Sequence, residues 1–193
     1  MAIEQYTESL TLQEMNAHLG ENGFGFVFPQ GDVTTITKIE DLLKRAGGKP
    51  KLCDIDDYSL GGNGKAKPEY IITLNSDPNT IIIVECKKSL NKHESLNRNC
   101  PRDYAVDGVL YYAKYLKNEY NVIAVAVSGT TAEKKKVNAY YWPKNISVFS
   151  ELKKATDIIL EPENYLKLVK GEKLQKKYSL QEIRNTADRK SVV

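Results

Sequence analysis

With 193 residues the chain is long enough for one domain with a proper core and an appendage. Its 41% hydrophobic and 27% charged residues are ordinary for a globular protein, and a formal charge of +3 permits nucleic-acid binding without arguing for it. No apolar run approaches the roughly 20 residues of a membrane helix, and no signal-peptide pattern opens the sequence.

Cys53, Cys86 and Cys100 are odd in number and lack CxxC spacing. A reduced, cytoplasmic setting without a zinc site is expected. Thr7 to Gly20 carries Leu10, Leu12, Met15 and Leu19, with Thr11 as cap and Glu14 three residues on, and reads as a short helix. Gly23 to Pro29 (GFGFVFP) is aromatic and glycine-punctuated, either a strand or an arm packed on a neighbour. Thr37 to Ala46 predicts a helix: Ile39, Leu42, Leu43 and Ala46 share a face, Glu40 borders it, and Gly47-Gly48 ends it. Lys51 to Tyr58 reads as a strand, and Ser59 to Ala66 (SLGGNGKA) as a flexible loop. That loop is not a P-loop, because no Ser or Thr follows its lysine and a strand comes next; no ATP site is expected.

Lys67 to Ser89 (KPEYIITLNSDPNTIIIVECKKS) holds two β-branched apolar runs around a turn-rich tract, Asn75 to Asn79, and predicts an antiparallel hairpin. A turn centred on Asp77 sets Leu74 against Thr80 and Glu69 against Glu85, and period two brings Lys87 to the same face. A slip of one residue would separate the two acids. Two carboxylates at the end of buried strands conflict unless a cation joins them, and hard oxygen ligands suit Mg²⁺. An ammonium beside them can orient a water or counter charge developing on a phosphate. The plainer reading is a salt bridge among Glu69, Glu85 and Lys87. Glu-x-Lys alone says little, since Glu133-Lys134-Lys135 and Glu151-Leu152-Lys153 match it without an acid on a facing strand.

After the hairpin come Lys87, Lys88, Lys92, Arg98 and Arg102 among asparagines. This is either a solvated surface loop or, beside a metal-binding strand end, a holder of nucleic-acid phosphates. His93 is read as a surface residue of that loop, and His18 as structural or exposed. Tyr104 to Tyr120 carries the stripe Val106, Val109, Leu110, Ala113 and Leu116 and predicts the strongest helix, with its tyrosines packing in a core or interface. Asn121 to Ser128 (NVIAVAVS) predicts a buried strand of a parallel pair. Val137 to Trp142 and Asn145 to Phe149 suggest one or two strands around a Pro143-Lys144 turn, and Glu163 to Lys170 and Ser179 to Arg189 suggest helices. The expected architecture is an α/β mixed sheet with core order helix, strand, strand, strand, helix, strand, and a helical C-terminal segment.

That order, with Pro68-Glu69 and Glu85-Cys86-Lys87 on consecutive strands, resembles the PD-(D/E)XK nuclease superfamily. More narrowly it resembles the amino-terminal nuclease domain of type I restriction enzyme R subunits and of fused restriction–modification enzymes, to which AVDGVLYYAKYL and NVIAVAVSG are similar. The resemblance spans Lys38 to Gly129. It implies a restriction-endonuclease-like core over residues 1–150, with 151–193 as a helical extension or linker to domains lying elsewhere. It implies that Glu69 stands for the motif's first aspartate, Glu85 for its second acid and Lys87 for its lysine. The backbone carbonyl of Cys86 would face the metal, Glu40 would be a further acid, and Tyr112 a supporting residue. Glutamate at 69 lengthens a ligand arm by one methylene, and Gly108 stands where many relatives carry glutamine. The implied activity is Mg²⁺-dependent hydrolysis of double-stranded DNA, with Mn²⁺ able to substitute. Lys88, Lys92, Arg98 and Arg102 would be DNA contacts, and motor, methyltransferase or specificity partners would lie outside this chain. The competing expectation is a non-catalytic DNA-binding or docking module on the same fold.

Overall fold

The computed structural model describes residues 23–29, 36–50, 64–129, 134–153, 155 and 160–172. The expected helix at 7–20, strand at 51–58 and helix at 179–189 lie outside these. Among the described residues, strands β1 (Phe24–Pro29), β2 (Tyr70–Leu74), β3 (Thr80–Lys87), β4 (Asn121–Gly129), β5 (Lys135–Trp142) and β6 (Ser150–Glu151) form one sheet in that spatial order. Helices α1 (Thr37–Ala46) and α2 (Ala105–Leu116) cover one face, and α3 (Pro162–Val169) lies on the other.

The sheet is mixed: β3 and β4 run parallel and every other pair runs antiparallel. The parallel pair requires a crossover, which α2 supplies. The odd-numbered side chains Ile71, Ile81 and Ile83 pack beneath α1 and α2 with Val122, Ala124 and Ala126. The even-numbered Ile72, Ile82 and Val84 pack on the other face with Tyr165 of α3. Burial on both faces explains the unbroken apolar runs of β3 and β4.

The turn between β2 and β3 is closed by Asp77. Its carboxylate accepts from Asn79 N–H at 3.0 Å and Thr80 Oγ at 2.6 Å, and its carbonyl from Thr80 N–H at 3.1 Å. The ladder pairs Tyr70 with Val84 and Thr73 with Ile81, the register expected from a turn centred on Asp77, and it stops one residue short of Glu69. Helix α1 buries Ile39, Leu42, Leu43 and Ala46 and stops at Gly47, whose φ of 65° favours glycine. Helix α2 ends at Leu116, short of the expected Tyr120, because Lys117 to Tyr120 continue as hydrogen-bonded turns.

Several expectations change. Gly23 to Pro29, open between strand and arm, forms β1 and covers the outer side of β2. The meander's outer strand is thus drawn from ahead of α1. Asn145 to Phe149 is not a strand: Asn145 has φ 58°, Trp142 Nε1 donates to the Ile146 carbonyl at 2.8 Å, and Ser150–Glu151 pairs with β5 instead. A boundary at residue 150 cuts through a continuous core, since Leu152, Ala155, Leu160 and Tyr165 are buried in the α3-side layer. Of the expected 59–66 loop, Ala66 is buried and its N–H donates to the Leu43 carbonyl at 3.0 Å. Cys86 is a buried free thiol but Cys100 is disulfide-bonded, against the fully reduced chain expected. Spacing along a sequence does not reveal pairing between distant cysteines.

Candidate active site

Glu85 is the last acid of β3 and is fully buried, at 0% exposure, beneath the helices. Lys87 follows on the same face, 18% exposed, and its Nζ donates to Glu85 Oε1 at 3.0 Å. The lysine that sequence reading missed is Lys49, whose ammonium, 15% exposed, donates to the same oxygen. Glu85 Oε2, by contrast, is buried with no hydrogen-bond partner among the described residues. A buried carboxylate oxygen is costly unless water, a ligand or another polar group meets it.

Tyr111, read from the sequence as a packing residue, and Tyr112, which the resemblance also makes a supporting residue, clamp the site's arms. The Tyr111 hydroxyl donates to the carbonyls of Ala46 and, at 3.3 Å, Gly48, fixing the end of α1 from which Lys49 projects. The Tyr112 hydroxyl donates to the Lys67 carbonyl at 3.1 Å, fixing the approach to Pro68 and Glu69. Lys49 Nζ sits 5.2 Å from the centre of the Tyr112 ring, a cation–π contact. Burial pushes the Tyr112 phenol well above its usual range, and the nearby negative charges of Glu85 and Glu69 push it further. Tyr112 is therefore neutral and acts as a donor. Glu69 is half-buried and near enough to Tyr112 for its charge to act there.

Gly108 explains itself sterically. A Cβ there would lie 2.7 Å from the Pro101 carbonyl oxygen and 3.3 Å from Glu85 Cγ and Cδ. No glutamine fits that position on this backbone; α2 lies against the Glu85 side chain.

The remaining sequence candidates are placed as follows. Glu40 is held by Lys44 at 3.3 Å and Lys65 at 3.7 Å. The hydrogen bond from Lys44 keeps its carboxyl below the usual range. It does not join Glu69 and Glu85, since no cluster of three such ligand side chains occurs among the described residues. The Cys86 side chain enters the opposite core layer, leaving its backbone between Glu85 and Lys87. The β2 ladder ends at Val84, so among the described residues this end of β3 has only β4 as ladder neighbour. Lys88, Lys92 and Arg102 are exposed. Arg98 is half-buried, bonded to Glu94, with its guanidinium 5.4 Å from the centre of the Tyr140 ring.

His93 is not a surface residue. It is 5% exposed, with Nδ1 2.9 Å from Ser128 Oγ and Nε2 2.7 Å from Asn138 Oδ1. Asn138 must accept through Oδ1, so Nε2 carries the proton and Nδ1 accepts from the serine. A histidine amid lysines and asparagines gave no periodic signal of burial. Asp107, also unremarked in the sequence, is 1% exposed and accepts from Ser95 N–H at 3.1 Å, the Ser95 hydroxyl, and Cys100 N–H at 2.8 Å.

The donors that would hold a Mg²⁺-type ion keeping several waters are the buried Glu85 oxygen without a partner among the described residues and the adjacent Cys86 carbonyl, with Glu69, half-buried just ahead of β2, as a second carboxylate. No family model matches the chain, and no similar protein was found among curated proteins or solved structures. What the fold and site define is an α/β mixed sheet carrying a buried carboxylate–lysine cluster at one strand end.

Proposed function

We propose that this chain is a metal-dependent endonuclease domain with a restriction-endonuclease-like core, hydrolysing DNA phosphodiester bonds as part of a restriction–modification system. The observation that carries this reading is the buried Glu85, with Oε2 unpartnered among the described residues and Lys87 on Oε1. Glu85, Glu69 and the Cys86 carbonyl would hold Mg²⁺ or Mn²⁺. The bound ion would supply the positive charge that polarises a phosphodiester. Lys87, its ammonium fixed by Glu85, would orient the attacking water and counter the charge that develops on the phosphate, while the water's proton leaves to solvent. Tyr112 holds the Glu69 arm in place through Lys67. The restriction–modification setting rests on the sequence resemblance, which also assigns target choice to partners outside this chain.

A second reading, a non-catalytic DNA-binding or docking module, is favoured by Lys49. With two ammoniums on one oxygen, the Glu85 charge is already countered without any ion.

The test is supercoiled-plasmid nicking in Mg²⁺ or Mn²⁺ by wild type, Lys87→Ala and the near-isosteric Glu85→Gln. Nicking abolished by both substitutions is expected, and activity that survives both refutes the site. If wild type is silent, calorimetric Mn²⁺ titration decides: without Glu85-dependent binding, the docking module stands.

A further inference from the structure

The structure assigns a second phosphate-binding position beside the candidate site: a polar cavity of about 630 Å³ between β5 and the segment that follows β3. We infer that it receives a backbone phosphodiester of the same nucleic-acid strand, a neighbour of the one to be cut. This inference rests on the nuclease reading for its substrate class.

The first argument is position. Lys87 of β3 lies opposite Ser128 of β4, and Ser128 lies opposite Lys136 of β5. These residues form one row across three strands. Lys136 shares the parity of Tyr140 and Trp142, which face α1 and α2, and so points to the same side as Lys87. Two interstrand steps of about 4.8 Å put the Lys136 backbone about 10 Å from that of Lys87. Lys136, Asn91, His93 and Ser95 line the cavity at the end of this row.

The second argument is charge. Lys136 is exposed, and no carboxylate lies within ion-pair distance of it among the described residues. The acid lining the cavity, Glu94, is engaged by the Arg98 guanidinium. Lys88 and Lys92 are exposed on the same segment. The field at the cavity therefore suits an anion.

The third argument is rigidity. The wall is tied to β4 and β5 through His93, to α2 through the Val106 N–H donating to the His93 carbonyl at 2.8 Å, and again through Asp107 and Ser95. A charged loop between a strand and a helix need not be held so firmly. Here it is set before any ligand arrives, so little ordering cost is left for binding.

The test reads binding rather than cleavage. Fluorescence anisotropy of a labelled DNA duplex is followed in EDTA across a salt series for wild type, Lys136→Ala and Lys170→Ala. Lys170 is an exposed control following α3, which packs on the other sheet face. Losing one phosphate contact lowers the slope of log K against log salt by about 0.9. Lys136→Ala is expected to bind more weakly at low salt, show that slope change, and converge on wild type as salt rises, whereas Lys170→Ala matches wild type. Inorganic phosphate added at constant ionic strength should compete with the duplex less well for Lys136→Ala. Wild-type binding with Lys136→Ala unchanged, or with both variants weakened alike, overturns the second position and leaves the nuclease reading standing. No salt-dependent binding by wild type overturns both.

Discussion

Gly108→Ala sets two physical rules against each other. Within a helix, alanine is preferred over glycine by about 0.8–1.0 kcal/mol, so propensity alone makes the variant more stable. Packing says the opposite. The new methyl meets the Pro101 carbonyl oxygen at 2.7 Å, which is backbone, and Glu85 Cγ and Cδ at 3.3 Å. Glu85 is fully buried and tethered through Oε1 to two lysines, so it has little room to yield. Overpacking of this kind costs about 1–3 kcal/mol. Subtracting the propensity gain leaves a net loss of about 1 kcal/mol, which for a chain of this length lowers Tm by about 2–4 °C. Thermal unfolding followed by circular dichroism measures this directly. A variant with Tm equal to or above wild type would refute the close approach of α2 to Glu85.

Two further substitutions probe the charges. Lys49→Ala removes one of the two ammoniums on Glu85 Oε1. An ammonium about 4 Å from a divalent ion at an effective dielectric near 20 is repelled by about 8 kcal/mol, twice the figure for unit charges. Relief of a sixth of that raises Mn²⁺ affinity about tenfold, and calorimetry showing weaker binding would sink the argument. For His93, burial is the main cause holding its pKa below 6.5; Lys136 also lowers it, while the Asn138 hydrogen bond and Glu94 oppose. The unfolded chain therefore takes up a proton near pH 6.5 before the folded protein does. Stability is held above that pH and is lost as pH falls through the lower folded value. Urea unfolding at pH 7.5 and 5.0 should show a larger loss for wild type than for His93→Gln, and equal losses would remove His93 as the cause.

The parts of the fold legible in the sequence were those with a strong period. The stripe Ile39, Leu42, Leu43 and Ala46 with its glycine stop gave α1 end to end. The symmetry of the runs flanking Asp77 gave the hairpin register over Tyr70 to Thr73 and Ile81 to Val84. Lys49 was invisible because its role depends on where Gly47 sends the chain and on the Tyr111 hydroxyl that fixes the exit, neither of which leaves a pattern near residue 49. His93 and Asp107 were missed for a related reason. Their burial is satisfied by partners distant in sequence or by loop N–H groups; His93 sits among lysines and asparagines, and Asp107 is a lone acid in an apolar helical run. The second core layer beyond Ser150 rests on a few spaced residues, Leu152, Leu160 and Tyr165, too sparse to stand out among lysines.

The sheet's pairings differ in how much chain each must close. Joining β2 to β3 needs only the short Asn75–Asn79 turn, whereas β1 must reach from Phe24 to Leu74, and β3 meets β4 only after the whole α2 crossover. Closure entropy rises with loop length, so the hairpin is the cheaper of these contacts to form. The end of β3 that carries Glu85 can thus be set by the hairpin while water still surrounds its carboxylate. Burial comes with α2, and the same helix, through Tyr111, fixes the segment that brings Lys49 onto Glu85. The countercharge is delivered by the element that takes the water away.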